Sequence, residues 1–365
     1  MIASTDVGSL PPRVPDSILR EGARRMYSVE RFLPRGSPED PLSLLEGEVV
    51  GAFIDKLRAS VEVPAYPQFR DMNEMTLEML LGITKTKTGY SATQRPYPKP
   101  GSTIPEVSIL KQNIPTIRDA TNLDMVQMRI CITGPYTLSS FFPGASPELL
   151  KRLGEALADI ASRTIFSAKE GGVALLSIDE PVLGFLNDPL LDRGSEGREA
   201  LIQALEQICV KAHQKGVETM LHLHNTSENL FWEIKHLGII EPHVEDPIYM
   251  QENTKRLIDE KDKRLKASIS ATRFDELIRA KAPESEDIGK IWTDIRKGLI
   301  DPERYLEDAE AMESRLRRIV ERFGANRVPY AGPECGLQGF PSYDCAMKYL
   351  RRTSEAVKRT RSATK

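Results

Sequence analysis

The sequence predicts an α/β barrel of the TIM type, (βα)8, and three observations carry that prediction. Eight short apolar runs recur along the 365 residues, nearly all separated by helical stretches. Several are continuous rather than alternating, as in V-Q-M-R-I-C-I-T (126–133) and V-A-L-L-S-I (173–178). Such runs mark strands buried on both faces of a parallel sheet with helical crossovers. Neither an early G-x-G-x-x-G turn nor a P-loop is present, so the open nucleotide-binding sheets lose ground. One barrel with an N-terminal extension and insertions accounts for residues 1–365 as a single domain.

The first strand spans Ile2 to Leu10 and stops at Pro11-Pro12. A polar, Pro-rich stretch fills 13–42. Leu44, Leu45, Val49, Phe53 and Leu57 set a helical stripe over 42–60. A second strand follows at 61–67 and a helix at 73–82. Residues 83–107 are a long polar insertion around T-K-T-K-T-G-Y-S-A-T-Q-R, read as a surface excursion or a lid or hairpin over a site. The third strand is 126–133. A helix over 146–171 has Ser146 as N-cap and Pro147 at its first position. Strands at 173–178, 217–224, 239–244, 264–270 and 328–331 then alternate with helices at 194–215, 228–237, 253–262, 274–323 and 343–359. The basic tail at 360–365 is expected to be disordered.

Composition excludes several classes. Charged residues make up 28% and the net charge is -3, so nothing favours nucleic acid or an anionic membrane. No apolar run approaches the ~18 residues of a membrane span. The N-terminus lacks the basic and apolar regions of a secretory signal. Cys131, Cys209, Cys335 and Cys345 are too scattered for a disulfide scaffold. A reducing cytoplasm is the expected compartment.

Active sites of such barrels form at the C-terminal strand ends. Here those ends carry Gly8-Ser9, Thr133-Gly134-Pro135, Asp179-Glu180, His222-Leu223-His224, His243-Val244-Glu245-Asp246 and Glu334-Cys335. Imidazole, carboxylate and thiolate on one rim suit Zn²⁺. His222 and His224, two apart on a strand, face the same way. His224 is expected at the rim, and His222 one layer deeper as a core histidine. Asp179 and Glu180 can face the site or cap a helix. Cys131 and Cys209 read as core thiols. Cys345 reads as a packing residue, with a second ligand role as the alternative.

Taken together, V-G-S-L-P (7–11), F-R-D-M (69–72), T-G-P-Y-T (133–137), I-D-E-P (178–181) and G-P-E-C-G-L (332–337) resemble the C-terminal catalytic barrel of cobalamin-independent methionine synthase. The likeness runs in order from about residue 4 to 350. The chain has the length of that barrel alone, like the short archaeal and bacterial relatives, for which a corrinoid is the expected methyl source. The resemblance implies a zinc methyltransferase acting on the thiol of homocysteine to give methionine. It implies His224, Glu245 and Cys335 as metal ligands, Asp179 on the substrate amino group, and Ser9 with the backbone of Val7 and Gly8 on its carboxylate.

Two departures stand out. Thr226 occupies the position, two residues after His224, where the family has a cysteine. Ser270-Ala271-Thr272-Arg273 lacks the histidine that folate-using members place after strand seven. The second departure points to a methylcorrinoid donor, free or protein-bound. Alternatives are alkyl transfer to another thiol such as coenzyme M, and a non-catalytic ligand-binding homologue.

Overall fold

Seven parallel strands curl into one sheet, and an eighth stretch of chain joins its two edges. The computed structural model describes residues 2–28, 37, 39–185, 187–283 and 285–363. Its strands are β1 (Ala3–Ser4), β2 (Leu80–Thr86), β3 (Gly89–Pro98), β4 (Val126–Thr133), β5 (Ser167–Ala168), β6 (Gly171–Asp179), β7 (Glu218–His222), β8 (Ile239–Glu241), β9 (Arg264–Ser270) and β10 (Tyr330–Pro333). The order around the sheet is β1-β10-β9-β8-β7-β6-β4, parallel at every step. Residues 63–68 close the ring. Val63 bridges Thr5 and Gln68 bridges Ser9 on one side, while Ala65 bridges Arg129 of β4 on the other. Pro64 and Pro67 bring no N–H to either ladder, so the second strand exists as bridges and not as a continuous ladder. Buried Lys56 pins this closure, its Nζ donating to Asp6, to the Gly8 carbonyl and to the Ala65 carbonyl at 2.7–3.0 Å. The fold class is therefore the (βα)8 barrel that the strand pattern predicts.

The interior of the ring is layered with the two-residue period of a strand. Val63, Leu175, Met220, Ile239 and Tyr330 form a small apolar cluster apart from the main core. Two residues further along their strands stand Ser177, His222 and Glu241, joined by Arg129 of β4 and Lys266 of β9. Arg129 spans the ring to Glu241 and to Ser177 Oγ, which shows that this layer points inward. The intervening residues, Leu176, Ile178, Leu221 and Ile240, belong to the outer core under the helices. One strand contact is very close. A Cβ on Gly332 would lie 1.9 Å from the Thr5 carbonyl oxygen, and Thr5 N donates to Ala331 O across the same junction. Gly332→Ala should therefore destabilise the fold by about 1–3 kcal/mol, the usual cost of overpacking, measured by urea unfolding.

Several boundaries differ from the sequence reading, each for a local reason. The 83–107 insertion is a β2–β3 hairpin beginning at Leu80, so the helix read over 73–82 spans only Met72–Leu77. The hairpin packs on the helix Pro147–Thr164 through Arg95 and Glu155, and Tyr90 N donates to Phe141 O at 2.8 Å. That helix stops at Thr164, short of the Gly171-Gly172 pair, because β5 turns back to pair antiparallel with those glycines. The 228–237 helix is a single 3-10 turn, Leu230–Glu233. The last helix runs from Tyr343 to Ala363 and so takes in residues 360–363, with Arg361 2.9 Å from Glu62; residues 364–365 lie outside the described residues. Among the described residues no helix is long and apolar enough to cross a membrane.

Candidate metal centre

The chain delivers four ligand side chains to the C-terminal rim. β7 ends at His222, and Leu223 carries the chain to His224 on the same face. β8 ends at Glu241, Pro242 breaks the ladder, and His243 follows. β10 ends at Pro333, and Cys335 stands on the turn beyond it. One ligand atom from each of His222, His224, His243 and Cys335 lies within 4.8 Å of the others. Among the described residues no other such group of three or more occurs. The His224 and His243 rings are 4.2 Å apart between centroids, and Cys335 Sγ is 3.5 Å from His224 Nε2.

The electrostatics suit a cation. Both ring nitrogens of His222 and Nε2 of His243 are buried without a hydrogen-bond partner. Leaving buried polar atoms unsatisfied costs about 1–3 kcal/mol each, and a bound metal would satisfy one nitrogen of each ring. Burial opposes ionisation of Cys335, yet three facing imidazoles hold the thiol well below its ordinary range. Burial also opposes a charge on His222, but Glu241 and the thiolate push it up to about 10. Burial lowers His224. Three imidazoles and one thiolate are a donor set for zinc or a similar borderline metal, so these residues fit the ion that the resemblance implies.

The surroundings fix the ligands. Glu334 accepts from Val244 N at 3.0 Å and Thr272 N at 2.9 Å, tying the loops after β8 and β9 beside Cys335. A Cβ on Gly336 would stand 1.8 Å from Ser9 Oγ, so glycine lets the cysteine turn settle on the first strand. Leu337 N completes that contact by donating to Ser9 O at 2.8 Å. A cleft of about 740 Å³ opens onto His224, His243 and Cys335, walled by Phe185, Thr272, Arg273 and Trp292 among others. None of its lining residues belongs to the β2–β3 hairpin.

Two solved structures similar to this chain over its length are described as B12-independent methionine synthases, one of them putative. The structure from Shewanella sp. W3-18-1, in complex with selenomethionine, superposes with a TM-score of 0.62 at 15% identity, covering 100% of this chain and 99% of that one. A putative vitamin-B12 independent methionine synthase from Listeria monocytogenes gives 0.59 at 14% identity, with 98% of each chain covered. The fold is that of the methionine-synthase barrel. No family model matches the sequence, and no curated protein does.

Set in this barrel, the expected site residues divide. His224 and Cys335 meet in the cluster, while Glu245 stays outside it, exposed and with φ +61°. The strand has ended at Glu241, so the alternation that would have carried Glu245 inward no longer applies. His222, expected in the core, is a cluster member, and His243 joins from a strand end already marked as chemical. Anchoring the ligand pair on His222 gives His222 and His224 the two-residue spacing sought between His224 and Thr226. Thr226 is committed elsewhere, its hydroxyl donating to Asp246. Cys345 is buried away from the cluster, and burial pushes its thiol up to about 12.

Asp179 lies inside the ring in register with His222, accepts from Ser177 Oγ at 2.7 Å, and is pushed up to about 6, chiefly by burial. Glu180 instead caps the short helix Pro135–Ser139, accepting from Tyr136 N, Thr137 N and Thr137 Oγ1 at 2.6–2.9 Å. Gly134 has no room for a Cβ beside that carboxylate, which joins the T-G-P-Y-T and I-D-E-P segments. The Val7 carbonyl accepts from Cys131 Sγ at 3.4 Å, and the Gly8 carbonyl accepts from Lys56 Nζ and Gln68 N.

Proposed function

We propose that the chain is a metal-dependent methyltransferase that methylates the thiol of homocysteine to give methionine. The observation that carries this reading is the His222–His224–His243–Cys335 cluster at the C-terminal rim of a methionine-synthase barrel. These four residues would hold zinc, which when bound lowers the pKa of a substrate thiol so that it is a thiolate near neutral pH. His224, His243 and Cys335 face the cleft, and a substrate sulfur entering there meets them first. His222 lies beneath them. Asp179, inward and level with His222, would take the amino group of an amino-acid substrate, and Ser9 beside the Cys335 turn would take its carboxylate. An inward Asp179 favours homocysteine over coenzyme M, which has no amino group to bind. The four-residue cluster favours this reading over a non-catalytic homologue.

The donor reading rests on the segment after β9. Thr272 and Arg273 stand in the cleft where a histidine is expected in folate-using members, and neither is a general acid near neutral pH able to protonate a departing folate nitrogen, although Asp275 and Glu276 also line the cleft. A corrinoid leaving group requires no such proton. Zinc-loaded protein should therefore make methionine from methylcobalamin and homocysteine, and no product from either corrinoid or folate donors would overturn the reading. Asp179→Asn should raise KM for homocysteine by roughly 10–100-fold, the loss of a charge-assisted hydrogen bond, with zinc content unchanged.

A further inference from the structure

We infer that Glu241 is a positioning residue of the metal centre and acts through His222. This rests on the four-ligand reading of the cluster above. Glu241 is fully buried in the layer beneath the ligands. Arg129 grips both of its oxygens, with Nη1 3.1 Å from Oε1 and Nη2 on Oε2. Lys266 Nζ lies 2.9 Å from Oε1. Those two cations come from β4 and β9 and are not ligands, so the carboxylate is fixed independently of the cluster. His222 Nδ1 stands 3.4 Å from Glu241 Oε2, and neither ring nitrogen has a hydrogen-bond partner among the described residues.

The consequence is directional. With Nδ1 facing a fixed carboxylate, the other ring nitrogen is the one turned to the cluster. A carboxylate behind a metal-bound imidazole sets its tautomer, fixes its ring and raises its basicity as a ligand. Stability alone does not call for this arrangement, since apolar residues of similar volume usually serve a buried layer as well or better.

The test is a zinc-affinity cycle on the full chain, by competition with a chelator, with metal-free unfolding measured in parallel. Glu241→Gln should weaken zinc binding about 10–100-fold, the usual loss when such a partner is removed. In a His222→Ala background the same substitution should change affinity by no more than about twofold, because the group it acts through is gone. A merely structural role predicts equal losses in both backgrounds, and that result overturns the proposal. So does unchanged affinity in Glu241→Gln. If Glu241→Gln does not fold, Glu241→Asp replaces it; it keeps the charge for Arg129 and Lys266 while drawing the carboxylate back, and the same coupling to His222 is expected. Zinc binding by the unmodified chain with no coupling sinks this inference alone, whereas no zinc binding at all sinks the metal reading with it.

Discussion

Arg129→Met should lower the folding free energy by about 3–5 kcal/mol, the cost of breaking a buried ion pair by removing one partner. The guanidinium is fully buried at the centre of β4 and reaches across the interior to Glu241 and sideways to Ser177 on the adjacent strand β6. Its removal leaves the Glu241 carboxylate inside the barrel with Lys266 Nζ at 2.9 Å and His222 Nδ1 at 3.4 Å as its remaining partners. Ser177 Oγ loses its donor at the same time. Methionine fills much of the volume, so cavity formation contributes little and the measured loss reports the uncompensated charge. Urea unfolding of metal-free protein gives the number. A loss below about 1 kcal/mol would mean that Lys266 and His222 satisfy Glu241 without it, and that the four-strand link through Arg129 does not hold the interior together.

This interior layer is written in the sequence as charges inside apolar strands. Arg129 interrupts V-Q-M-R-I-C-I-T, Glu241 interrupts the apolar run of strand six, and Lys266 interrupts R-L-K-A-S. A charge in mid-strand of a parallel barrel has to find an opposite charge across the ring, so three such residues on separate strands mark one another. The apolar runs made the barrel legible because burial on both faces leaves a strong local signature. The hairpin is not legible as strands because the outer part of β2 and most of β3 are exposed, with Leu80, Ile83 and Tyr90 tying it to the core. The closing segment was placed correctly at 61–67, while its irregular pairing follows from two prolines whose effect depends on which neighbours they meet.

The site was legible to the depth of one strand. The two-residue spacing of His222 and His224 was seen, and the same spacing links Glu241 to His243 on the adjacent strand. Applied there, it places the carboxylate beside His222 and the imidazole beside His224. What sequence spacing cannot supply is the point at which a strand stops. Glu245 has the parity of Glu241 and His243, but Pro242 ends the ladder and the backbone turns through a left-handed conformation at Glu245. Parity carries no information beyond that turn.

His243→Ala and Glu245→Gln therefore separate two ligand sets. Loss of His243 removes one of four donors whose atoms converge within 4.8 Å, and zinc affinity should fall by on the order of 100-fold or more, beyond the 10–100-fold typical of an outer partner. Glu245→Gln removes an exposed charge outside that group, so zinc affinity should stay within about twofold and stability within about 0.5 kcal/mol, as for surface changes generally. Cobalt substitution adds a second readout, since losing an imidazole alters the ligand-field bands and changing a remote carboxylate does not. Retained zinc in His243→Ala together with lost zinc in Glu245→Gln would restore the set His224, Glu245 and Cys335. It would also require the loop between Pro242 and Pro247 to refold around the ion, because the carboxylate now stands on the solvent side of the turn.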